Sequence, residues 1–375
     1  KGETKIEITT FRSEIYPEDT RHPRVSFSKD IMTDLSRRDF TINAMAIKVP
    51  EGELLDPFGG QADLEEKILR TPLKPDRSFT DDPLRMLRAV RFVATLGLRV
   101  SPEIKEAIKT HHSTLSIVSR ERIRDEFSRT ITGAHPVRAL RLMMSTHLAD
   151  EVIPELKSLK IMQDPDYHHK DVLEHTFMVI QRVEPDLALR LAAILHDLGK
   201  PKAKRIIDGR VTFYNHDLIG AKMAEKRLRE LRYPLQLIEE VVKLIALHMR
   251  AYTYYLGWMD KAVRKYVRDA GELSPKLNAL IRADCTSLNP MRVKEALAML
   301  DELEARIKEL EAKEESAKIR PPLDGHEVMT FLNISPGPLV GEALDLLLES
   351  KLEGTISTKE EARELLKKWA GEKGF

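Results

Sequence analysis

The sequence predicts a mainly α-helical protein with a small α+β part near its N-terminal end. Short β-branched or apolar stretches occur only in about the first fifty residues, at Ile6–Ile8, Val25–Phe27 and Ala44–Val49. Beyond them, apolar residues recur at helical spacing almost everywhere. The stretch 301–318, rich in Glu, Lys and Ala, is typical of a solvent-exposed helix with i, i+4 ion pairs.

The breaks between helical patterns divide the chain into parts. Helices are predicted at about 82–97, 102–110, 120–132 and 136–145, and Pro154 with the polar stretch 163–166 marks a linker. A second helical set follows from about 170 to 283, and a charged helix from about 292 to 316 is stopped by Pro321 and Pro322. We therefore predict domains at 1–55, 56–150, 151–290 and 291–375.

The overall charge is close to neutral. Lys and Arg total 61 and Asp and Glu 60, so the formal net charge is +1. An RNA partner must therefore be met by local basic patches, such as the arginines of 85–91 and the group Arg120, Arg122 and Arg124. The single Cys285 excludes a disulfide framework and predicts a reducing cytoplasm. No apolar run approaches the length of a membrane span, so no membrane partner is expected.

The segment Asp34-Leu-Ser-Arg-Arg-Asp-Phe-Thr-Ile-Asn-Ala-Met-Ala46 combines two arginines, a carboxylate and an amide beside an apolar run. Arg37 or Arg38 can bind a triphosphate, and Asp39 and Asn43 can hydrogen-bond to a ribose. The alternative is a capped helix start, with Asp34 or Ser36 as N-cap before a buried apolar stripe. Spacing alone leaves both interpretations open.

A second basic motif lies in Thr80-Asp-Asp-Pro-Leu-Arg-Met-Leu-Arg-Ala-Val-Arg-Phe92. Three-residue spacing keeps Arg85, Arg88 and Arg91 close to one helical face. Asp82 precedes Pro83, a common first helical residue, and offers an acceptor beside the donors of Arg85, as recognition of a base edge requires. A lone motif of this kind would more simply be a solvated helix face.

With Asp56-Pro-Phe-Gly-Gly-Gln-Ala-Asp-Leu64 between them, the two motifs make the chain resemble the bacterial-type tRNA nucleotidyltransferases, the CCA-adding enzymes of the polymerase-β superfamily. Matching segments also include Phe11-Arg-Ser-Glu-Ile-Tyr16, Ser119-Arg-Glu-Arg-Ile-Arg-Asp-Glu126 and Pro321-Pro-Leu-Asp-Gly-His-Glu327, so the resemblance runs through nearly all 375 residues. It implies a polymerase-β-type head followed by a helical neck, a further helical domain and a helical tail.

The resemblance also implies the reaction and its participants. The enzyme would add CCA, or part of it, to tRNA 3′ ends from CTP and ATP with Mg²⁺. Asp82 and Arg85 would pair with the incoming base, and Arg38, Arg88 and Arg91 would bind phosphates. Asp81 departs from the Glu that the family usually has there, so the nucleotide choice is less firmly implied.

One family motif is missing. No Gly-Gly-Xaa-Val-Arg-Asp turn and no Asp-Xaa-Asp pair precede Asp34, although in the family they hold the catalytic Mg²⁺ ions. We therefore expect the chain to lack the first part of the head, through truncation, a fragmentary gene model or a separate chain that supplies it. The catalytic residues are accordingly unassigned, and the chain as given is expected not to add nucleotides. Glu7 could face a metal, but it more simply fits the polar side of a half-buried strand.

The second helical set carries imidazoles and carboxylates at scattered positions. These are His175, His196, Asp197, His216, His248 and Asp284, with Lys200 just after Asp197-Leu-Gly. Side chains of these types on separate helices can converge on one centre and bind divalent ions that activate water for attack on a phosphoester. A lone buried His is more often a hydrogen-bonded core residue, so the prediction depends on the whole set.

This set resembles that of the HD superfamily of metal-dependent phosphohydrolases. The resemblance implies a divalent metal site for Ni²⁺, Mn²⁺ or Mg²⁺ with these six residues as ligands. Lys200 is predicted either to neutralise a bound phosphate or simply to follow the helix end. The tandem pairs His111–His112 and His168–His169 match no ligand position and are interpreted as surface residues.

Three other readings remain open. The HD hydrolase could be the only working activity, acting on nucleotides or 2′,3′-cyclic RNA ends. The chain could instead be an RNA- or nucleotide-binding partner of another polypeptide. A bacterial poly(A) polymerase shares the head and neck motifs, but that branch generally lacks the HD set.

Overall fold

A computed structural model describes residues 9–15, 24–27, 29–161, 171–208, 210–286, 289–317 and 320–373. The chain forms two compact units, one of residues 1–251 with 272–294 and the other of residues 252–271 with 295–375. The predicted strand Ile6–Ile8, with Glu7, and the pair His168–His169 lie outside the described residues. The domain boundaries at 55, 150 and 290 stay predictions.

The strands of the first unit are short and pair two by two. Antiparallel pairs join β1 (Arg12–Ile15) to β2 (Arg24–Phe27) and β3 (Ala46–Ile47) to β4 (Leu54–Leu55). β5 (Ile68–Leu69) runs parallel to β6 (Arg99–Val100), and β7 (Arg205–Ile207) is antiparallel to β8 (Arg210–Thr212). The strand predicted at 25–27 is confirmed. The one predicted at 44–49 is shorter, because a 3-10 turn at Thr41–Asn43 ends at Ala44.

Of the eight described helices that precede the linker, the four at 84–96, 102–111, 120–131 and 136–145 match the predicted ones closely, and the other four were not predicted. The eight helices are α1 (Ile31–Ser36), α2 (Gly60–Glu66), α3 (Pro75–Asp81), α4 (Leu84–Leu96), α5 (Pro102–His111), α6 (Arg120–Ile131), α7 (Pro136–Ser145) and α8 (Leu148–Val152). Gly97, with φ 67°, ends α4, since the left-handed backbone conformation favours glycine. α4 packs against α6 and α7, and buried residues of these helices, such as Val90 and Phe127, form the core of the predicted neck, residues 56–150.

The second helical set of the first unit surrounds one apolar helix. Its members are α9 (Val172–Arg182), α10 (Leu187–Leu195), α11 (Lys200–Ala203), α12 (His216–Glu230) and α13 (Leu235–Leu247), together with α15 (Ser274–Asp284). Residues 188–195 of α10 are all buried, and α10 packs against α9, α13 and α15. The hairpin of β7 and β8 lies between α11 and α12 and was not predicted.

The second unit is helical as well. It contains α14 (Asp260–Ala270), most of α16 (Pro290–Ala317), α17 (Gly325–Leu332), α18 (Pro338–Leu352) and α19 (Lys359–Lys373). The predicted charged helix is α16, and Lys313 with Glu309 forms the expected i, i+4 pair at 2.6 Å. Asp324 and Glu327 form a reciprocal capping box at the start of α17. None of the helices within the described ranges is long and apolar enough to cross a membrane.

Candidate functional site

The first arginine pair follows α1 directly. Asp30 caps α1, since its carboxylate accepts from the backbone N–H groups of Met32 and Thr33. The alternative that Asp34 or Ser36 is the N-cap is therefore wrong, because the helix begins earlier and both residues lie inside it. Asp34 is buried and binds the arginines instead, with its oxygens 2.6 Å from Arg37 Nη2 and 3.4 Å from Arg38 Nη2.

Asp39 is the point where the two predicted nucleotide motifs meet. Its Oδ1 accepts from Asn43 Nδ2 at 3.0 Å and from the N–H of Phe40 at 2.9 Å. Its Oδ2 accepts from Arg88 Nε at 2.7 Å, and Arg38 Nη1 donates to the carbonyl of Asn43 at 3.1 Å. The structure thus brings four predicted nucleotide-binding residues into one hydrogen-bonded group.

Arg85 and Asp82 have other partners. Arg85 is buried and donates from Nη1 to Ser78 Oγ at 2.9 Å and from Nη2 to the carbonyl of Arg37 at 2.6 Å. Asp82 accepts from the N–H of Leu84 at 3.1 Å and lies 3.4 Å from Arg122 Nη2. In the part of the chain that the structure describes, no side-chain hydrogen bond joins Asp82 to Arg85. Arg85 of α4 therefore links the first motif and α3 through these hydrogen bonds.

Arg91 lies within the neck. Its Nη1 donates to Glu126 Oε1 on α6 at 3.0 Å, and its guanidinium lies over the ring of Phe92, 4.7 Å from the centroid. Burial lowers the pKa of Arg91 and raises the pKa of Glu126, although the charge of each opposes the shift of the other. Arg91 thus binds Glu126, whereas Arg88 of the same helix binds Asp39.

The candidate metal ligands come from five helices and sit mostly at helix ends. His196 follows the last residue of α10, His248 follows that of α13, His216 begins α12 and Asp284 ends α15. Gly199 allows the chain after α10 to approach α12, since a Cβ there would meet the His216 carbonyl oxygen at 2.0 Å. This close packing brings Asp197 beside the first turn of α12.

The six residues form two adjoining groups, called here the metal cluster. In the first, His175 Nε2 lies 2.9 Å from Asp284 Oδ1 and 3.2 Å from His196 Nε2. In the second, His216 Nε2 lies 3.5 Å from Asp197 Oδ1, and His248 completes the group. The ligand atoms within each group lie within 4.8 Å of one another. A separation of 3.2 Å between His196 Nε2 and Asp197 Oδ2 joins the groups, so all six predicted residues converge.

Hydrogen bonds orient the imidazoles towards this centre. The Nδ1 atoms of three of them lie near the carbonyl oxygen three residues earlier: His196 and Ala193 at 2.9 Å, His216 and Phe213 at 2.8 Å, and His248 and Ile245 at 2.6 Å. Donation from Nδ1 leaves the Nε2 lone pair for a metal ion. The fourth imidazole, His175, has Thr286 Oγ1 at 2.7 Å from Nδ1. No feature of the sequence indicated Thr286.

Several ligand atoms are buried without a hydrogen-bond partner. They are both carboxylate oxygens of Asp197 and the Nε2 atoms of His216 and His248. Lys200 Nζ lies at the ion-pair distance of 2.8 Å from Asp197 Oδ2, but without hydrogen-bond geometry to that oxygen. Unsatisfied buried polar atoms cost free energy unless another group, such as a metal ion, binds them. This set of atoms therefore fits a divalent cation.

The electrostatics of the cluster favour the same conclusion. Burial disfavours ionisation of both carboxylates, yet the neighbouring cationic and imidazole groups hold the pKa values of Asp197 and Asp284 well below the usual range. Burial lowers the pKa of His248 to about 4 and also lowers that of His216. Two negative carboxylates and neutral imidazoles are the ligand forms that a divalent ion requires.

His196 differs from the other imidazoles. Burial alone would lower its pKa, but the carboxylates of Asp197 and Asp284 raise it to about 10. A proton on His196 therefore balances the carboxylates when no cation does, and a bound cation would replace it. The pair His111–His112 stays apart from the cluster, with each ring beside a carboxylate of Asp76 or Glu151.

Comparison with known proteins gives the same domain order. Residues 1–70 match the family described as the Poly A polymerase head domain, and residues 97–160 match the one described as Probable RNA and SrmB- binding site of polymerase A. Residues 166–289 match the HD domain. An A-adding tRNA nucleotidyltransferase of Deinococcus radiodurans is 34% identical over 94% of this chain and 83% of its own length.

The chain belongs to the bacterial tRNA nucleotidyltransferases, the family of the CCA-adding enzymes. Another member, a CC-adding tRNA nucleotidyltransferase of Thermus thermophilus, is also 34% identical, over 90% of this chain and 77% of its own. The fold resembles that of the Bacillus stearothermophilus CCA-adding enzyme in complex with CTP, with a TM-score of 0.64 and 23% identity over 97% of this chain and 79% of that one. The predicted family, fold class and enzyme class are thereby confirmed.

Proposed function

We propose that this nucleotidyltransferase acts on tRNA 3′ ends, using CTP and ATP bound by residues 38–43 and 82–91. Related proteins are named for A, CC and CCA addition, and solved relatives include complexes with CTP, with ATP and with tRNA. In the reaction the tRNA 3′-hydroxyl attacks the α-phosphorus and pyrophosphate leaves. Mg²⁺ bound to the carboxylates of the family's head motif would stabilise the charge on the phosphates.

The residues of this chain would bind and select the nucleotide. Arg38 and Arg88 surround the hydrogen-bonded pair of Asp39 and Asn43, so their remaining donors can bind phosphates while Asp39 and Asn43 are held for a ribose. Arg85 has more donors than its contacts with Ser78 and Arg37 use, which leaves capacity for a base edge beside Asp82. Arg91, on the same helix, is paired with Glu126 of α6.

The observation that carries this proposal is the single network that joins both motifs through Asp39. Its test is equilibrium binding of CTP and of ATP by calorimetry to the wild-type chain and to an Asp39→Ala variant. We expect weaker binding of both nucleotides by the variant, because the ribose acceptor and the support of Arg88 are lost together. Unchanged affinity for both nucleotides would contradict the proposed site.

A second activity is proposed for the metal cluster: hydrolysis of phosphoesters of nucleotides or of 2′,3′-cyclic RNA ends. Ni²⁺, Mn²⁺ or Mg²⁺ held by the six residues would supply Lewis acidity and an activated water. Asp197 lies between the two groups and would hold metal with its carboxylate, while Lys200 at its side would neutralise phosphate charge. The unsatisfied atoms of Asp197, His216 and His248 carry this proposal.

Phosphate release tests the hydrolytic proposal separately from nucleotide addition. The wild-type chain, stripped of metal and reloaded with Ni²⁺ or Mn²⁺, is expected to release phosphate, and a His248→Ala variant is expected to lose this activity. Labelled nucleotide incorporation into tRNA, measured with a protein whose head is completed with the Asp-Xaa-Asp segment of a relative, reports on the other site. A metal-independent rate that survives His248→Ala would contradict the hydrolytic role.

We propose a cytoplasmic location for both activities. The support is that Cys285 is the single cysteine of the sequence and is buried, where its thiol donates to the Ile281 carbonyl oxygen at 3.3 Å. A chain without a disulfide framework is typical of a reducing compartment.

A further inference from the structure

A β-hairpin joins two ligand-bearing parts of the metal cluster. Asp197 precedes the segment 200–215 and His216 follows it, so both ends of the segment are fixed at the cluster. Within the segment, β7 pairs with β8 in the register Arg205 to Thr212, Ile206 to Val211 and Ile207 to Arg210. The hairpin is therefore connected at both ends to residues of the metal cluster.

One face of this hairpin presents a row of apolar side chains. Ile206 and Val211 are cross-strand partners and lie on the same face, and the alternation along β8 places Phe213 on that face too. Ile206 is 72% exposed, while Val211 and Phe213 are partly exposed. The ring of Phe213 lies 5.6 Å from Lys200 Nζ, which is itself 2.8 Å from Asp197 Oδ2. These apolar side chains therefore extend along the hairpin to Phe213, which lies beside Lys200 of the metal cluster's surroundings.

The same segment is strongly basic. Residues 200–215 contain Lys200, Lys202, Lys204, Arg205 and Arg210, with Asp208 as the sole acidic residue. The chain as a whole is nearly neutral, so this excess of positive charge is local. The exposed aromatic ring of Tyr214, 70% exposed, adds a flat apolar surface beside the start of α12.

We propose that the hairpin binds the single-stranded 3′ end of an RNA and directs its terminal phosphate to the metal cluster. Apolar side chains beside cations match a polyanion whose unpaired bases have exposed faces. A duplex hides those faces in its stack, so the surface suits a single strand. Each strand of the hairpin is about 10 Å long, which gives room beyond a single terminal nucleotide. The inference rests on the proposed hydrolytic role of the cluster.

The test compares two substrates with the same reactive end. One is a short single-stranded RNA oligonucleotide that ends in a 2′,3′-cyclic phosphate, and the other is cytidine 2′,3′-cyclic phosphate. The Ni²⁺-loaded wild-type protein should show a higher kcat/KM for the oligonucleotide. Ile206→Ser should reduce this value on the order of tenfold, because a contact with a base is lost, and should reduce it much less for the mononucleotide. Lys204→Glu should also reduce kcat/KM for the oligonucleotide more than for the mononucleotide, because it replaces a positive charge near the RNA phosphates by a negative one.

Ile47→Ser is the matched control. Ile47 is 64% exposed on β3, so its replacement removes a similar apolar surface from a strand more than 150 positions away in the sequence. It should leave both kcat/KM values unchanged. Equal wild-type values for the two substrates, or equal losses in Ile206→Ser and Ile47→Ser, would overturn the proposal.

A failure of the proposed hydrolytic role can be distinguished from a failure of RNA binding by the hairpin. If the wild-type protein hydrolyses neither substrate, fluorescence anisotropy with a labelled oligonucleotide still reports on the hairpin: weaker binding by Ile206→Ser supports the surface, and unchanged binding overturns it. Sedimentation measures self-association in the same variants. If Ile206→Ser loses self-association but binds RNA as the wild type does, the apolar side chains of the hairpin contact a second copy of the chain, and the proposal is overturned.

Discussion

Arg88 on α4 binds Asp39 through two of its nitrogens: Nε donates to Oδ2 at 2.7 Å, and Nη2 lies 2.6 Å from the same oxygen. The two residues belong to motifs almost fifty positions apart, and Arg85 makes a second link between those motifs by donating to the Arg37 carbonyl. The nucleotide-binding segment is therefore held as one body by arginines that are also candidates to bind the nucleotide.

Arg88→Lys tests whether the contact of two Arg88 nitrogens with Asp39 contributes to nucleotide binding. Lysine keeps the charge but cannot hold Asp39 and reach a phosphate together, because it presents a single ammonium group. We expect the affinity for CTP and ATP, measured by calorimetry, to fall on the order of tenfold. Arg77→Lys, on the exposed side of α3, is the control and should leave affinity unchanged. Equal effects of the two substitutions would contradict a role for Arg88.

Arg85→Ala should abolish base selection in a protein whose head is completed with the Asp-Xaa-Asp segment of a relative. It removes donors that the base edge needs, at a cost on the order of 1.5–3 kcal/mol, which corresponds to a ten- to hundredfold fall in correct insertion. Ser78→Ala removes one anchor of Arg85 and serves as the control, since it should lower stability without changing selection. Unchanged discrimination among CTP, ATP, UTP and GTP in Arg85→Ala would refute the template assignment.

The neck should show a pH dependence of stability that comes from Glu126. Burial raises the pKa of Glu126 above its ordinary 4.5, against the opposing charge of Arg91. Its contribution to the free energy of unfolding is thus complete below pH 4.5 and is lost as the pH rises through the folded-state pKa. Glu126→Gln should flatten this decline in urea unfolding measured between pH 4.5 and 7.

Glu121→Gln is the control for this measurement, because Glu121 is an exposed residue of the same helix. It should leave the pH dependence of the free energy of unfolding as in the wild type. Parallel curves for Glu126→Gln and the wild-type protein would show that Glu126 does not titrate abnormally.

Much of the fold was predictable because helical periodicity and helix-end signals are local. Proline at the first turn of α5 and of α7 and glycine after α4 marked helix ends within a residue or two. The hairpin of β7 and β8 was missed, because strands of three residues with exposed side chains leave no clear alternating pattern.

The candidate site was predictable in its members but not in its contacts. The spacing of His196 and Asp197 after a run of apolar residues indicated a ligand pair, since a buried helix end must satisfy its polar side chains. The partners of Arg85 and Arg91 and the contact of Thr286 with His175 could not be predicted, because they join residues distant in sequence through tertiary packing. The assignment of ligand and nucleotide roles stays a prediction.

The most direct test of the central claim is the metal content of an Asp197→Ala protein, measured by elemental analysis after loading with Mn²⁺ or Ni²⁺, beside its rate of phosphate release. Asp197 lies between the two histidine groups and is the proposed ligand common to both, so metal content and hydrolysis should fall together when it is replaced. Full metal stoichiometry in Asp197→Ala would contradict the account.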